Sequence, residues 1–377
     1  MIYLCCFAAS FAFTLLTIYL GFDIAALGPG PLTTLIIARF SMIAFIMVTG
    51  FKALHKMGHK SFIFYIILPP LITLGTLAIS GVPEQAAVLG ALIGGPEGIF
   101  WVLMHMTIMA GTTSKSRGFE LSQNELWLGG GAMSGALAGG FALSFFPGPI
   151  IIGSAYILLC LPVFFMIRFC QRNNIFNRYK QAANVNTGIR RRITDDPWRS
   201  WHTFTEGLFS FASIFLMPVW AKFMGLSGAG AGILNAAQMA CRFLIAPFSG
   251  HLSQKDCGRD VQSGAGLKTL GWTPLFIAPT PLFLGIATCL WALGHHLCMV
   301  GLGCRWYKDQ CVNGLAAREL LLYLSRLAGC AIFIPLLYNG LLYFILAACS
   351  VGTIFFLSAT FERRIRFPQG ATQRFPN

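Results

Sequence analysis

Residues 172–202 read RNNIFNRYKQAANVNTGIRRRITDDPWRSWH and form the longest polar stretch of a chain of 377 residues. On both sides of this stretch the sequence consists of long apolar runs separated by short polar segments. A helix needs about 20 predominantly apolar residues to cross the hydrocarbon of a bilayer, and runs of that kind recur along nearly the whole chain. The stretch therefore divides the chain into two groups of predicted membrane-spanning helices.

The composition favours a membrane protein. Hydrophobic residues make up 56% of the chain, charged residues only 11%, and the mean hydropathy is +0.68, values outside those of soluble globular domains. Splitting the apolar runs at Gly, Pro and charged residues predicts an all-α polytopic membrane protein with about 12 transmembrane helices in two six-helix pseudo-repeats. The predicted spans are 2–21, 32–54, 61–82, 90–111, 126–147, 149–169, 204–224, 228–250, 263–279, 281–303, 314–335 and 337–359. The ninth is interrupted by Lys268 and by Pro274, Pro279 and Pro281, so a count of eleven is the alternative.

These spans predict four segments of chain. They are an N-terminal six-helix bundle over residues 1–170, a basic linker over 171–203, a C-terminal six-helix bundle over 204–360 and a tail over 361–377. The first apolar run has neither a basic leading segment nor a convincing small-residue cleavage site, so we interpret it as a retained helix and not as a signal peptide.

The distribution of cationic residues predicts the orientation. Lys222 is the one cation at an odd-numbered connection, whereas most of the 27 Lys and Arg residues lie in or border the even-numbered connections and the tail. By the positive-inside rule those segments and both termini are cytoplasmic, which fits a bacterial inner membrane. The net charge of +14 is then explained by topology and anionic lipid, without a nucleic-acid partner. The triplet Arg190-Arg191-Arg192 reads as an orientation signal, with a regulatory or nucleic-acid contact as the alternative.

The two halves contain traces of an internal repeat. Trp101 precedes His105 by four residues in the fourth span, and Trp291 precedes His295 by four residues in the tenth. This spacing places the two side chains of each pair on one helix face. Duplicated halves are typical of transporters that work by alternating access.

A second correspondence follows the second and eighth spans, where HKMGHK occupies residues 55–60 and GHLSQKDCGR occupies residues 250–259. Both segments resemble the loop motif G-x-L-x-D-R-x-G-R-R of the major facilitator superfamily, although His55 and Gln254 stand where the motif has Asp. The resemblance implies a gating role at the membrane surface for a set of loop residues: His55, Lys56, Gly58, Lys60, Gly250, Lys255, Asp256, Gly258 and Arg259.

The fifth span carries a further resemblance to this family. Its segment GAMSGALAGG, residues 131–140, is similar to the motif G-x-x-x-G-P-x-x-G-G, with Ala136 at the position of Pro. In that family the motif is associated with antiporters, commonly exporters. The simpler explanation is that these small residues form a generic stripe for helix packing. The residues concerned are Gly131, Gly135, Gly139 and Gly140.

Ionisable side chains inside hydrocarbon are costly, so each is a functional hypothesis by default. Glu97 is the candidate for proton coupling; the alternative is that it caps a helix at the water boundary. It follows Gly94-Gly95-Pro96, a segment that either breaks the helix or marks its start. His105 is a candidate for relaying protons or for lining the cavity; the alternative is that it only packs against its neighbours. Together with Trp101, the candidates for substrate binding or coupling are Arg39, Glu97, His105, Arg242, His295 and Arg326.

These patterns favour a secondary transporter that moves a small solute by alternating access and is coupled to protons. Export is the direction that the glycine motif of the fifth span favours. The chain has no P-loop for ATP and no HExxH, GxSxG or paired intramembrane Asp motif, so we do not expect an enzyme. The twelve cysteines form no CxxC pair, and neither a metal nor a cofactor is expected. We expect a monomer in the lipid bilayer; the alternatives are a membrane sensor or assembly protein on a transporter fold and, less favoured, a membrane-embedded enzyme.

Overall fold

The computed structural model describes residues 2–57, 82–111, 117–146, 148–177, 189–307 and 312–366, in which all regular secondary structure is helical. The α-helices in chain order are α1 (Ile2–Ile24), α2 (Pro29–Met57), α3 (Val82–Gly111), α4 (Arg117–Phe145), α5 (Gly148–Arg172), α6 (Ile189–Asp195), α7 (Pro197–Ser210), α8 (Met217–Phe223), α9 (Gly228–Lys255), α10 (Cys257–Leu270), α11 (Thr273–Ile277), α12 (Pro281–Tyr307), α13 (Val312–Asn339) and α14 (Leu341–Arg366). A 3-10 turn, Ala25–Leu27, follows α1, and a π-helical turn, Phe211–Phe215, joins α7 to α8.

Nine helices of the described residues are long and apolar enough to cross a membrane, and α7 with α8 makes a tenth span if this pair, bent by 42°, is counted as one. The fold is therefore that of an all-α polytopic membrane protein, as predicted. The predicted third span, 61–82, lies almost wholly outside the described residues. The predicted ninth span is broken into α10 and α11, and the break falls next to Pro274, one of the prolines that weakened this prediction.

Two predicted boundaries were wrong. The break or helix start expected at Gly94-Gly95-Pro96 does not occur, because α3 begins at Val82 and runs through Pro96 to Gly111. The last span begins at Leu341 and not at residue 337, because α13 continues to Asn339. Gly340 then adopts a φ of 153°, a backbone conformation that glycine reaches without strain.

We call α1–α5 the N-terminal half and α7–α14 the C-terminal half. The predicted linker extends too far, because residues 197–203 already belong to α7, where His202 is fully buried. The guanidinium of Arg199 lies 4.0 Å from the ring centroid of Trp306, so this cation packs inside the C-terminal half. Only α6 remains as a short helix with no buried residue.

Glycines on α4 allow it to pack closely against both halves. A Cβ atom on Gly131 or Gly135 would overlap the backbone of α1, and one on Gly140 would lie 2.7 Å from the Cα atom of Gly232 in α9. Small residues let helix backbones approach in this way where the hydrophobic effect gives no drive for association. The result is a seam between α4 and α9 that joins the two halves.

The bundle has two distinct ends. At the end we call the basic end, α2 and α9 finish and α4 begins; at the end we call the short-turn end, residues 25–28, 224–227 and 340 connect successive helices. The halves touch at both ends. The Ser122 hydroxyl donates to the carbonyl oxygen of Ala246 near the basic end, and Lys222 Nζ donates to the Phe22 carbonyl oxygen at 2.8 Å near the short-turn end.

Candidate functional site

A cavity of about 180 Å³ lies between the two halves. Its walls come from α1, α2, α3 and α4 on one side and from the π-helical turn, α9, α12 and α13 on the other. The structure brings all seven residues predicted for substrate binding or coupling to this one cavity: Arg39, Glu97, Trp101, His105, Arg242, His295 and Arg326. All seven residues therefore line the same cavity, whereas the role of each one remains a prediction.

Glu97 is buried in the middle of α3 and pairs with Arg39 of α2. The Arg39 Nε atom lies 2.8 Å from Glu97 Oε2, and Arg39 Nη1 donates to Thr17 Oγ1 at 2.9 Å. Glycines of α3 make this contact possible, since a Cβ atom on Gly94 would lie only 2.5 Å from the Arg39 carbonyl oxygen. The alternative of a helix cap at the water boundary was therefore wrong for Glu97, which is 5% exposed.

His105 connects the two halves. Its Nδ1 atom is hydrogen-bonded to the Tyr307 hydroxyl, and its Nε2 atom lies 3.2 Å from Glu319 Oε1, both in the C-terminal half. Glu319 also pairs with the neighbouring Arg318. The Trp101 and His105 rings stack with their centroids 6.2 Å apart, which accounts for the spacing noted in the sequence.

A second ionic contact between the halves lies on the seam of α4 and α9. Arg242 Nη2 is 2.6 Å from Glu125 Oε2, and both side chains are largely buried. Although Arg39-Phe40 and Arg242-Phe243 are similar in sequence, their surroundings differ. Phe40 is buried whereas Phe243 is 40% exposed, so the two pairs are not equivalent in packing.

The C-terminal half contains a buried network next to the cavity. His295 Nδ1 lies 2.6 Å from Glu206 Oε1, and the other carboxylate oxygen of Glu206 pairs with Lys268. Close packing of α10 on α12 brings these groups together, because a Cβ atom on Gly294 would lie 2.5 Å from the carbonyl oxygen of Gly264. Unlike His105, then, His295 has its ionic partner in its own half.

Arg326 differs from the other cavity arginines. Its guanidinium carbon lies 4.7 Å from the ring centroid of Tyr323, 4.9 Å from that of Phe215 and 5.8 Å from that of Phe40. The side chain is 8% exposed, and its Nε atom has no hydrogen-bond partner. Glu319, two turns away on the same helix, forms no ion pair with it.

The loop-motif residues whose side chains the structure describes do not line the cavity. Asp256 caps α10 by accepting a hydrogen bond from the Arg259 backbone at 3.0 Å, and it lies 3.6 Å from Arg363 of α14. Gly250 packs against the start of α4, where a Cβ atom would lie 2.6 Å from Ser122 Cβ. Gly258 lies in the first turn of α10. Gly58 and Lys60 lie outside the described part of the chain. The side chains of three further motif residues also lie outside it: His55, Lys56 and Lys255.

Several residues of the site are not among those predicted from the sequence. Glu125 falls one residue before the predicted start of the fifth span, and Lys268 reads in the sequence as an interruption of the ninth span. Glu206 lies inside the predicted seventh span, where the same cost argument that selects Glu97 also applies to it. Glu319 lies inside the predicted eleventh span, is 4% exposed and lines the cavity.

Comparison with known proteins supports the fold. No protein-family model and no curated protein matches the chain. Among solved structures, it is similar to the human organic anion transporter MFSD10 (TETRAN), with a TM-score of 0.66 and 14% sequence identity over 95% of this chain and 97% of that chain. At this identity the likeness shows the fold alone, an all-α polytopic bundle like that of the solved transporter.

Proposed function

We propose that this chain, built on a major facilitator type of fold, is a secondary transporter that moves a small solute across the membrane by alternating access. One observation carries the proposal: a cavity between the two halves has walls from both of them and holds contacts between polar side chains that join them, His105 with Glu319 and Arg242 with Glu125. Such a cavity at a repeat interface is where transporters of this general design bind their substrates. The likeness to a transporter also fits the expectation that the chain is not an enzyme.

The two contacts between the halves act as a gate in this proposal. Opening the basic end requires that His105 leaves Glu319 and that Glu125 leaves Arg242, while the contact of Lys222 with Phe22 holds the short-turn end closed. Opening the short-turn end reverses the pattern. Because the halves are joined by discrete contacts of single side chains, the two arrangements can exchange by rigid movement of the halves.

Proton coupling follows from the same contacts. A carboxylate that loses its cationic partner inside a low-dielectric cavity is favoured to bind a proton. Glu125 loses such a partner when it leaves Arg242, and Glu97 would do so whenever Arg39 turns away from it. Glu319 gives up its contact with His105 but keeps the neighbouring Arg318. We therefore propose coupling through cavity carboxylates, with Glu97 as the original candidate. A proton–solute exchange in the export direction is the form that the glycine motif of α4 favours.

The surrounding membrane is part of the proposal. The basic end faces the cytoplasm, both termini lie on that side, and the protein works as a monomer in a bacterial inner membrane. The alternative of a sensor that has lost transport would fit a cavity with few charges. The cavity has four arginines and three glutamates on its walls, which argues against that alternative.

Flux through proteoliposomes with an imposed pH gradient tests the proposal. Amino acids, organic anions and cationic dyes serve as probes, and Glu319→Gln is compared with Arg191→Gln, whose side chain is 74% exposed and pairs with Asp195. We expect gradient-dependent flux of one probe class in wild type and in Arg191→Gln, and a reduced flux in Glu319→Gln. If folded wild type moves no probe in either direction, transport is ruled out for these classes and the sensor alternative gains weight.

A further inference from the structure

The ionic side chains on the cavity walls do not balance. Four guanidinium groups and three carboxylates line the cavity. Each carboxylate has its own guanidinium partner: Arg39 with Glu97, Arg242 with Glu125, and Arg318 with Glu319. One positive charge therefore remains in excess, and it belongs to Arg326.

Arg326 has no acidic partner within ion-pair distance in the described part of the chain. What surrounds the guanidinium instead is aromatic, with Tyr323 and Phe215 closest. Cation–π contacts of this kind offset only part of the cost of a buried charge.

The geometry points to an anion as the missing partner. We propose that Arg326 binds the carboxylate of a small organic monoanion, and that this monoanion is the transported substrate. The proposal rests on the transport function proposed above and names the substrate class for the same cavity. It assigns the anion to Arg326 and not to Arg39 or Arg242, because those two side chains already have carboxylate partners.

The shape of the site accounts for the class of ligand. A guanidinium presents donors around its edge that match a carboxylate in a two-pronged contact, while its faces stack on aromatic rings. The contacts with Phe215 and Tyr323 are cation–π contacts that use no N–H donor in a hydrogen bond, and Nε has no hydrogen-bond partner, so donors remain for an acceptor. The remaining walls include Phe13, Met104 and Met299, which suit an apolar body on the ligand. The volume of about 180 Å³ and the single excess charge favour a compact monoanion over a dianion.

The π-helical turn belongs to this site. The amide of Leu216 donates to the carbonyl oxygen of Phe211 at 3.1 Å, a bond that spans five residues, and Pro218 follows two residues later. Turns of this type widen a helix locally and occur often at functional sites. Here the widening places Ile214 and Phe215 on the cavity wall beside Arg326.

Binding to purified protein in nanodiscs of neutral phosphatidylcholine tests the proposal. The probes are benzoate and its uncharged counterpart benzamide, measured by titration calorimetry. Arg326→Gln removes the charge, and Arg326→Lys keeps the charge but lacks the planar, two-pronged guanidinium. Arg363→Gln is the control, because it removes a guanidinium on α14 that does not line the cavity. Because Arg326 is an unpaired buried cation, we expect Arg326→Gln to fold with a melting temperature at or above that of wild type.

We expect benzoate to bind wild type and Arg363→Gln equally and to bind Arg326→Gln about 10- to 100-fold more weakly. Arg326→Lys should lie between them, and benzamide should bind all variants weakly. Equal benzoate binding by wild type and Arg326→Gln would overturn the proposal, and so would the absence of saturable benzoate binding or benzamide binding as tight as that of benzoate. Flux distinguishes the two proposals: benzoate binding without flux contradicts transport alone, and flux of cationic or neutral probes without benzoate binding contradicts the anion site alone.

Discussion

The ion pair of Arg39 and Glu97 gives the sharpest prediction about the site. The two side chains are 8% and 7% exposed, and Arg39 supplies the one ion pair of Glu97 among the described residues. Removing either partner leaves a charge in a desolvated place, which typically costs about 3–5 kcal/mol. Glu97→Gln should fall at the lower limit, because Arg39 keeps its hydrogen bond to Thr17 at 2.9 Å. Arg39→Met should fall at the upper limit, because Glu97 then keeps no cation.

A double-mutant cycle measures this coupling. The free energy of unfolding is determined in mixed micelles for wild type, Arg39→Met, Glu97→Gln and the double variant. We expect the double variant to lose much less stability than the sum of the single losses, with a coupling energy of about 2 kcal/mol or more, within the range seen for contacting residues. Single effects that add to within about 0.5 kcal/mol would refute the pairing. The cycle also matters for function, since a loss of flux in Glu97→Gln alone has two explanations: lost proton coupling or an unpaired Arg39.

Two further predictions concern packing and the second buried network. Gly94→Ala should destabilise the protein by about 1–3 kcal/mol, because the added methyl group forces α2 and α3 apart. The control is Gly153→Ala, whose added methyl group meets nothing within 4 Å and should change stability by less than about 0.5 kcal/mol. Equal effects of the two variants in the same unfolding assay would contradict the close approach of α2 and α3. Lys268→Met should destabilise by about 3–5 kcal/mol by leaving Glu206 without its lysine, and Arg191→Met at a 74% exposed site should have almost no effect; a small loss for Lys268→Met would show that the buried pair is not formed.

The sequence predicted the fold because the membrane imposes strong rules on composition. Apolar runs of fixed length and the distribution of Lys and Arg were enough to predict an all-α polytopic protein. The similar fold of the solved transporter MFSD10 supports that prediction. Boundaries were less predictable. Pro96 reads as a helix breaker, but inside a bundle the neighbouring helices compensate for one missing hydrogen bond, and α3 continues through it.

The site was predictable as a set of residues but not as a set of pairs. The cost of a buried charge selects Arg39, Glu97 and Arg326 from the sequence alone. Which of them pair depends on helix neighbours that no local pattern states: Arg39 meets Glu97 because glycines on α3 allow close packing. Arg326 could be recognised as the unpaired cation only after the other three arginines had been assigned their carboxylates.

Alternating access itself is tested most directly by amide hydrogen exchange at the two ends of the bundle in nanodiscs. Glu319→Gln weakens the contact of His105 with Glu319 near the basic end. If the halves rock about the cavity, exchange should rise in residues 118–122 and 246–250 at the basic end and fall in residues 20–27 and 218–226 at the short-turn end, relative to wild type and to the control Arg191→Gln. A rise at both ends, or a change confined to the neighbourhood of residue 319, would contradict the account.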